Sequence, residues 1–166
     1  MTDLDPGAAA FLGFLILQRL SELVLARLNT TRLLARGATE HGASHYPLIV
    51  VLHAAWIAAL VIFGLGNPVS PAWLAAFVVL QALRIWILAS LRDRWTTRII
   101  VLDEPLVARG PFRFVRHPNY MVVAAEIVVA SMVLGLPWVA AIFTLLNAAV
   151  LAIRIRAEDA ALSGHR

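Results

Sequence analysis

The chain has 166 residues, 61% of them hydrophobic and only 14% charged, with a formal net charge of +4 and no cysteine. A soluble domain carries about a quarter charged residues, so this composition excludes an ordinary soluble domain, and the missing cysteines exclude disulfides and thiolate metal sites. All fourteen basic side chains are arginines, and they cluster beside apolar segments, where they serve topology and contact with anionic lipid head groups rather than nucleic acid.

The first apolar segment, about residues 8–28, follows Asp3 and Asp5 where a signal peptide would carry positive charge, so it reads as a membrane helix. Within it Arg19 and Glu22 are three apart and can pair on one face. The polar stretch 36–47 holds His41 and His45, but Gly42 and Tyr46-Pro47 argue for a loop, and no metal site is expected there. Segments at about 46–65 and 71–91 follow, separated by the uncharged Gly66-Asn67-Pro68-Val69-Ser70. Gln81 and Arg84 lie on the third segment.

Residues 92–117 form the longest polar connection. In 95–109, β-branched residues flank Asp103-Glu104-Pro105, a pattern that predicts a short hairpin lying on the bundle. A fourth segment, about 118–135, carries Glu126 two turns in; an unpaired carboxylate there is costly, so it needs Arg84, Gln81 or the positive end of a bound ligand as partner, and serves either as a structural hydrogen-bonded group or as a base of raised pKa. Gly135 and Pro137 make a tight break before the fifth segment, 137–155, because glycine permits a left-handed cap and proline starts a helix. Asn147 on this segment is expected to pack against a neighbouring helix.

These segments predict an all-α, polytopic membrane helix bundle of five spans in one domain covering residues 1–166. Every arginine-bearing connection, including the tail with Arg156 and Arg166, falls on one side, which the positive-inside rule makes cytoplasmic, with the N-terminus outside and the C-terminus inside. The 92–117 connection and the C-terminal tail then meet on one face, because the 118–135 and 137–155 arms are nearly equal in length.

Two constellations sit on that face. The first is Gly110-Pro-Phe-Arg-Phe-Val-Arg-His-Pro-Asn-Tyr120, in which Pro118 opens a helix whose free N–H groups make an anion site. The second is Arg154-Ile-Arg-Ala-Glu158-Asp159, in which Arg154 and Glu158 share a helix face. An interfacial arginine–aromatic anchor and a surface ion pair are the plain alternatives.

The first motif resembles the signature of the isoprenylcysteine carboxyl methyltransferase family of integral membrane enzymes, and the second resembles that family's C-terminal arginine and glutamate pattern. The resemblance implies S-adenosylmethionine as cofactor, leaving as S-adenosylhomocysteine. It implies binding by Val115, His117, Pro118, Asn119, Tyr120 and Glu158, with Phe112 and Phe114 near the adenine or sulfonium, and Arg154 and Glu158 as catalytic candidates, to which the buried carboxylate of Glu126 adds a third.

Segments 36–47, 81–84 and 94–98 are similar to a bacterial subgroup associated with type III polyketide synthases, which implies O-methylation of an alkylpyrone or phenolic lipid in the bacterial inner membrane. Carboxyl methylation of a prenylated cysteine is the alternative within the family. A small non-enzymatic transporter or assembly protein is the alternative outside it. No Gly-x-Gly-x-x-Gly loop after a strand suggests a soluble nucleotide fold.

Overall fold

The computed structural model describes residues 4–163, so Asp3 and Arg166 lie outside it. Five α-helices dominate: α1 Pro6–Ala35, α2 Tyr46–Gly64, α3 Pro71–Leu91, α4 Pro118–Val133 and α5 Pro137–Leu162. Each has a proline in its first two positions, where the missing N–H removes no helical hydrogen bond and the ring fixes φ for entry. At α1 the Asp5 side chain also accepts from the Ala8 N–H at 2.8 Å, a favourable N-cap.

The architecture is the expected all-α polytopic bundle. Four helices are long and apolar enough to cross a membrane; α4, expected as a fifth full span, has 16 residues, about 24 Å of rise. It packs between α3 and α5, and its Ala130, Ser131 and Val133 are fully buried. Leu17, Val79 and Leu145 elsewhere stay exposed, an apolar exterior suited to lipid.

Away from the arginine-rich end, Phe11, Leu15, Trp56, Leu60, Phe77, Ile127 and Val139 form one apolar core. Phe11 meets the Phe77 ring edge-on at 5.1 Å. Trp56 Nε1 donates to Ser131 Oγ at 3.1 Å, which satisfies a polar atom that lipid cannot. Gly135 turns the chain between α4 and α5 at φ 65°, and Asn67 donates to the neighbouring Leu134 carbonyl at 2.8 Å. The tight break read from the sequence is therefore present.

The opposite end differs from expectation in one respect. Residues 95–109 do not pair with themselves. Strand β1, Thr39–His41, lies antiparallel to β2, Ile99–Val101, with Glu40 opposite Ile100, so the 36–47 stretch supplies a strand rather than loop alone. This register buries Ile99 and Val101 and places the Arg98 guanidinium on the Glu40 carboxylate at 2.9 and 3.1 Å. Pro105 cannot donate to a ladder, and the chain beyond Val101 is irregular.

Candidate functional site

The site is built where α4 begins, α5 ends and the 92–117 connection crosses between them. Tyr120 donates its hydroxyl proton to Glu158 Oε2 in a short hydrogen bond. Arg154 Nε donates to the same hydroxyl at 2.8 Å, and its Nη2 donates to the Thr97 carbonyl at 2.7 Å. The third guanidinium nitrogen, Nη1, is buried without a partner, although the residue as a whole is only 6% exposed. Such an orphaned donor is costly unless a ligand meets it.

His117 occupies the position before α4 without a capping side-chain hydrogen bond and stacks on Tyr120, the ring centroids 5.4 Å apart. Its Nδ1 lies 3.9 Å from Glu158 Oε1 and its Nε2 lies 3.6 Å from Asp159 Oδ1. Both distances are within ion-pair reach but too long for hydrogen bonds. Asp159, which the sequence left without a role, thus stands beside the same imidazole.

Two cavities open from this cluster. The outer one, about 440 Å³, runs under β2 and the irregular segment and is lined by His117, Glu158, Arg116 and Phe112. The inner one, about 300 Å³, lies within the bundle among α1, α2, α4 and α5 and is mostly apolar. Both are in the size range of small-molecule sites. Trp95, Thr96, Asn119, Tyr120 and Arg154 line both cavities, and so stand at the junction.

Of the residues named from the sequence, His117, Asn119, Tyr120, Arg154 and Glu158 come together here. Val115 and Pro118 line neither cavity: Val115 is exposed, and Pro118 is buried as the first residue of α4. Phe112 lines the outer cavity, whereas Phe114 is 76% exposed and lines neither cavity.

Glu126 is also elsewhere. It is 0% exposed, lines neither cavity, and has both oxygens occupied. Arg84 donates to it through Nε at 2.8 Å and through Nη2, Gln81 donates at 2.9 Å, and Arg19 Nη2 donates at 2.5 Å. Arg19 and Arg84 also hold Glu22, at 3.0 and 3.2 Å. The Arg19–Glu22 pair read from the sequence is thus half of a four-charge cluster joining α1, α3 and α4.

Sequence reasoning missed the 95–97 contribution. Trp95 and Thr96 wall both cavities, and the Thr97 carbonyl anchors Arg154. Asn29, 1% exposed, holds this segment from α1 by donating to the Arg92 and Trp95 carbonyls at 3.2 and 2.9 Å. An asparagine flanked by Ala26 and Leu33 on the buried face of α1 was the available signal.

Charged side chains fasten the irregular segment over the outer cavity. Arg36 pairs with Asp93 at 3.0 Å and Glu104 at 2.7 Å, and Arg94 also pairs with Glu104. Desolvation pushes the Glu104 carboxyl up, but the Arg36 and Arg94 hydrogen bonds and charges together outweigh it and hold it below its ordinary value.

Residues 73–164 match the isoprenylcysteine carboxyl methyltransferase family. The chain is 36% identical over 157 residues to the uncharacterized protein YpbQ of Bacillus subtilis (strain 168), an alignment covering 91% of this chain and 94% of that relative. It is 28% identical over 138 residues to an uncharacterized protein of Haemophilus influenzae, covering 79% of this chain and 80% of the relative. No solved structure matches it. The family match spans nearly all of α3, the connection, α4 and α5, the elements that form the site; the chain belongs to the isoprenylcysteine carboxyl methyltransferase family and is an integral membrane methyltransferase.

Proposed function

We propose that this protein transfers a methyl group from S-adenosylmethionine to an oxygen of a lipidic acceptor, with the cofactor in the outer cavity and the acceptor in the bundle chamber. The observation that carries this reading is that a cavity with charged and polar side chains in its lining and a more apolar one meet at Tyr120 and Arg154. The polar outer residues fit the cofactor. The unpartnered Arg154 Nη1 and the N-terminus of α4 suit a carboxylate, and Glu158 suits an ammonium group. Bound cofactor supplies an electrophilic methyl carbon, which an acceptor oxygen takes in line as the carbon–sulfur bond breaks.

The chain's own contribution is alignment and exclusion of water. Tyr120, held between Arg154 and Glu158, fixes the wall against which donor and acceptor meet. Tyr120, which lines both cavities and donates to Glu158, links a hydroxyl acceptor in the chamber to that carboxylate, since a phenol of pKa about 10 needs a proton removed. Glu126 acts as a positioning residue, fixing Arg19 and Arg84 behind the chamber.

In a second reading, carboxyl methylation of a prenylated-cysteine-like substrate, the free Arg154 Nη1 aims the acceptor and the N-terminus of α4 alone holds the cofactor's carboxylate, because a carboxylate acceptor is already ionised and needs only an arginine to aim it. The resemblance of segments 36–47, 81–84 and 94–98 to the bacterial subgroup that modifies alkylpyrones and phenolic lipids supports the hydroxyl reading. The arginine-rich end bearing the site is cytoplasmic in this proposal, in a bacterial inner membrane.

The deciding experiment supplies methyl-tritiated S-adenosylmethionine with lipid extract, then treats the labelled lipid with alkali. Alkali-stable label identifies a methyl ether and supports a hydroxyl acceptor. Label released as methanol identifies a methyl ester and overturns that choice in favour of the carboxylate.

A further inference from the structure

Methyl transfer at the junction leaves a set of deeper polar side chains unused. Arg19 and Glu22 from α1, His53 from α2, Arg84 from α3 and Asn147 from α5 all line the inner chamber. Two arginines and two glutamates, with Glu126 included, neutralise one another within the buried cluster, so net charge does not draw an ion to this wall. His53 and Asn147 stand outside those ion pairs.

Asn147 is 2% exposed and its Oδ1 has no hydrogen-bond partner. An asparagine that served only to join membrane helices would bond across them, as Trp56 and Ser131 do here. His53 Nδ1 lies 2.9 Å from the Ile49 carbonyl. A carbonyl can only accept, so Nδ1 carries the proton and Nε2 of the neutral ring is left as an acceptor. Arg19 Nε also lacks a partner.

Depth along α5 sets a scale. Asn147, Val150, Leu151 and Arg154 all line the chamber, and their spacing makes one stripe on the helix face. Seven residues separate the first from the last, which is about 10 Å of rise. The positions between them, with Val123 opposite on α4, are apolar. The chamber therefore has a polar mouth, an apolar waist and a polar inner wall, and a plain hydrocarbon chain filling it would leave Asn147 and His53 facing carbon.

We infer that the acceptor is two-ended: besides the oxygen that is methylated near Tyr120 and Arg154, it carries a neutral hydrogen-bonding group, a hydroxyl or amide, about 10 Å away along an apolar spacer, read by His53 and Asn147. This inference rests on the methyltransferase reading above. It narrows the substrate class to oxygenated amphiphiles and makes His53 and Asn147 specificity residues.

The test measures binding of four probes to detergent-purified protein, para-butylphenol, octanoic acid, and the ω-hydroxy analogue of each, chosen so that the two oxygens of the hydroxylated probes match the inferred separation. S-adenosylhomocysteine binding is measured separately on the same samples. Within at least one pair the hydroxylated probe is expected to bind about tenfold more tightly, since a buried site built for a hydroxyl loses at least one hydrogen bond to its deoxy analogue. His53→Leu and Asn147→Leu should each reduce that preference towards unity while the melting temperature and S-adenosylhomocysteine affinity stay near wild type.

Equal or weaker binding of both hydroxylated probes, a preference unchanged in both variants, or no binding of any probe would overturn the inference. Loss of the preference in only one variant supports it and assigns the contact to that residue. Failure of wild-type protein to bind S-adenosylhomocysteine would instead overturn the methyltransferase reading, whatever the probes do.

Discussion

Arg154 Nε donates to the Tyr120 hydroxyl at 2.8 Å while Nη2 of the same guanidinium reaches the Thr97 carbonyl at 2.7 Å, so one planar group ties α5 to α4 and to the connecting segment. Lysine offers a point charge without that fork. Arg154→Lys is expected to lower kcat/KM about a hundredfold, close to 2.7 kcal/mol, with the helical circular dichroism retained. Near wild-type turnover in this variant would remove Arg154 from the site.

The Glu126 cluster predicts a different phenotype. Glu126→Gln leaves Arg84 and Arg19 buried with a weakened partner, and breaking a buried pair costs about 3–5 kcal/mol. Thermal unfolding in detergent should therefore show a large loss of stability. Replacing both Glu126 and Arg84 by leucine and methionine should recover part of that loss, because removing both charges relieves the unpaired one. A stable Glu126→Gln protein that has lost only turnover would show instead that the carboxylate takes part in chemistry.

At Gly110 the backbone has φ 61°, and an added Cβ would run into Ser90 Oγ. Gly110→Ala should lower the melting temperature through both effects, a cost of about 1–3 kcal/mol for the left-handed backbone alone. Adding Ser90→Gly should relieve the collision and leave the backbone cost. An unchanged melting temperature for Gly110→Ala would contradict this geometry.

The clamp on the 102–109 segment should weaken in acid. Glu104 titrates below its ordinary value when folded, so its contribution is complete above the free carboxyl range, about pH 4.3, and fades as pH falls through the lower folded value. Being exposed, it adds little to global stability. The expected readout is lower amide protection, the exchange rate normalised to the intrinsic rate at each pH, confined to 99–109 below about pH 4, with Glu104→Gln already poorly protected at neutral pH. Exchange in this segment that does not differ between wild type and Glu104→Gln would contradict the clamp.

The helices were legible because their signals are local. Prolines at the first turns, Gly135 before Pro137, and long apolar runs mark boundaries whatever the tertiary arrangement, and α4 and α5 begin where those residues predict. The ends were harder. α1 and α5 extend past their apolar stretches to Ala35 and Leu162, since charged arginine-bearing turns continue a helix beyond the membrane.

The partners of residues 95–109 were not legible. Ile99–Val101 pairs with a strand nearly sixty residues earlier, and no local pattern encodes a contact at that separation. The same limit hid Thr97 as an anchor for Arg154, because a carbonyl has no side-chain signature. Glu126 showed the converse: its need for Arg84 and Gln81 followed from the cost of a buried charge, while Arg19, a helix away, emerged only from the packed bundle.

Binding of S-adenosylmethionine to detergent-purified protein, measured by titration calorimetry for wild type and for Glu158→Ala, tests the account at its centre. The arrangement of Tyr120, Arg154 and Glu158 at the outer cavity predicts saturable, one-to-one binding by wild type and a loss of at least about tenfold in affinity for the variant, near 1.4 kcal/mol, with the melting temperature of the unliganded protein little changed. Wild-type protein that is folded and binds no S-adenosylmethionine, or a variant that binds it as tightly as wild type, would contradict it.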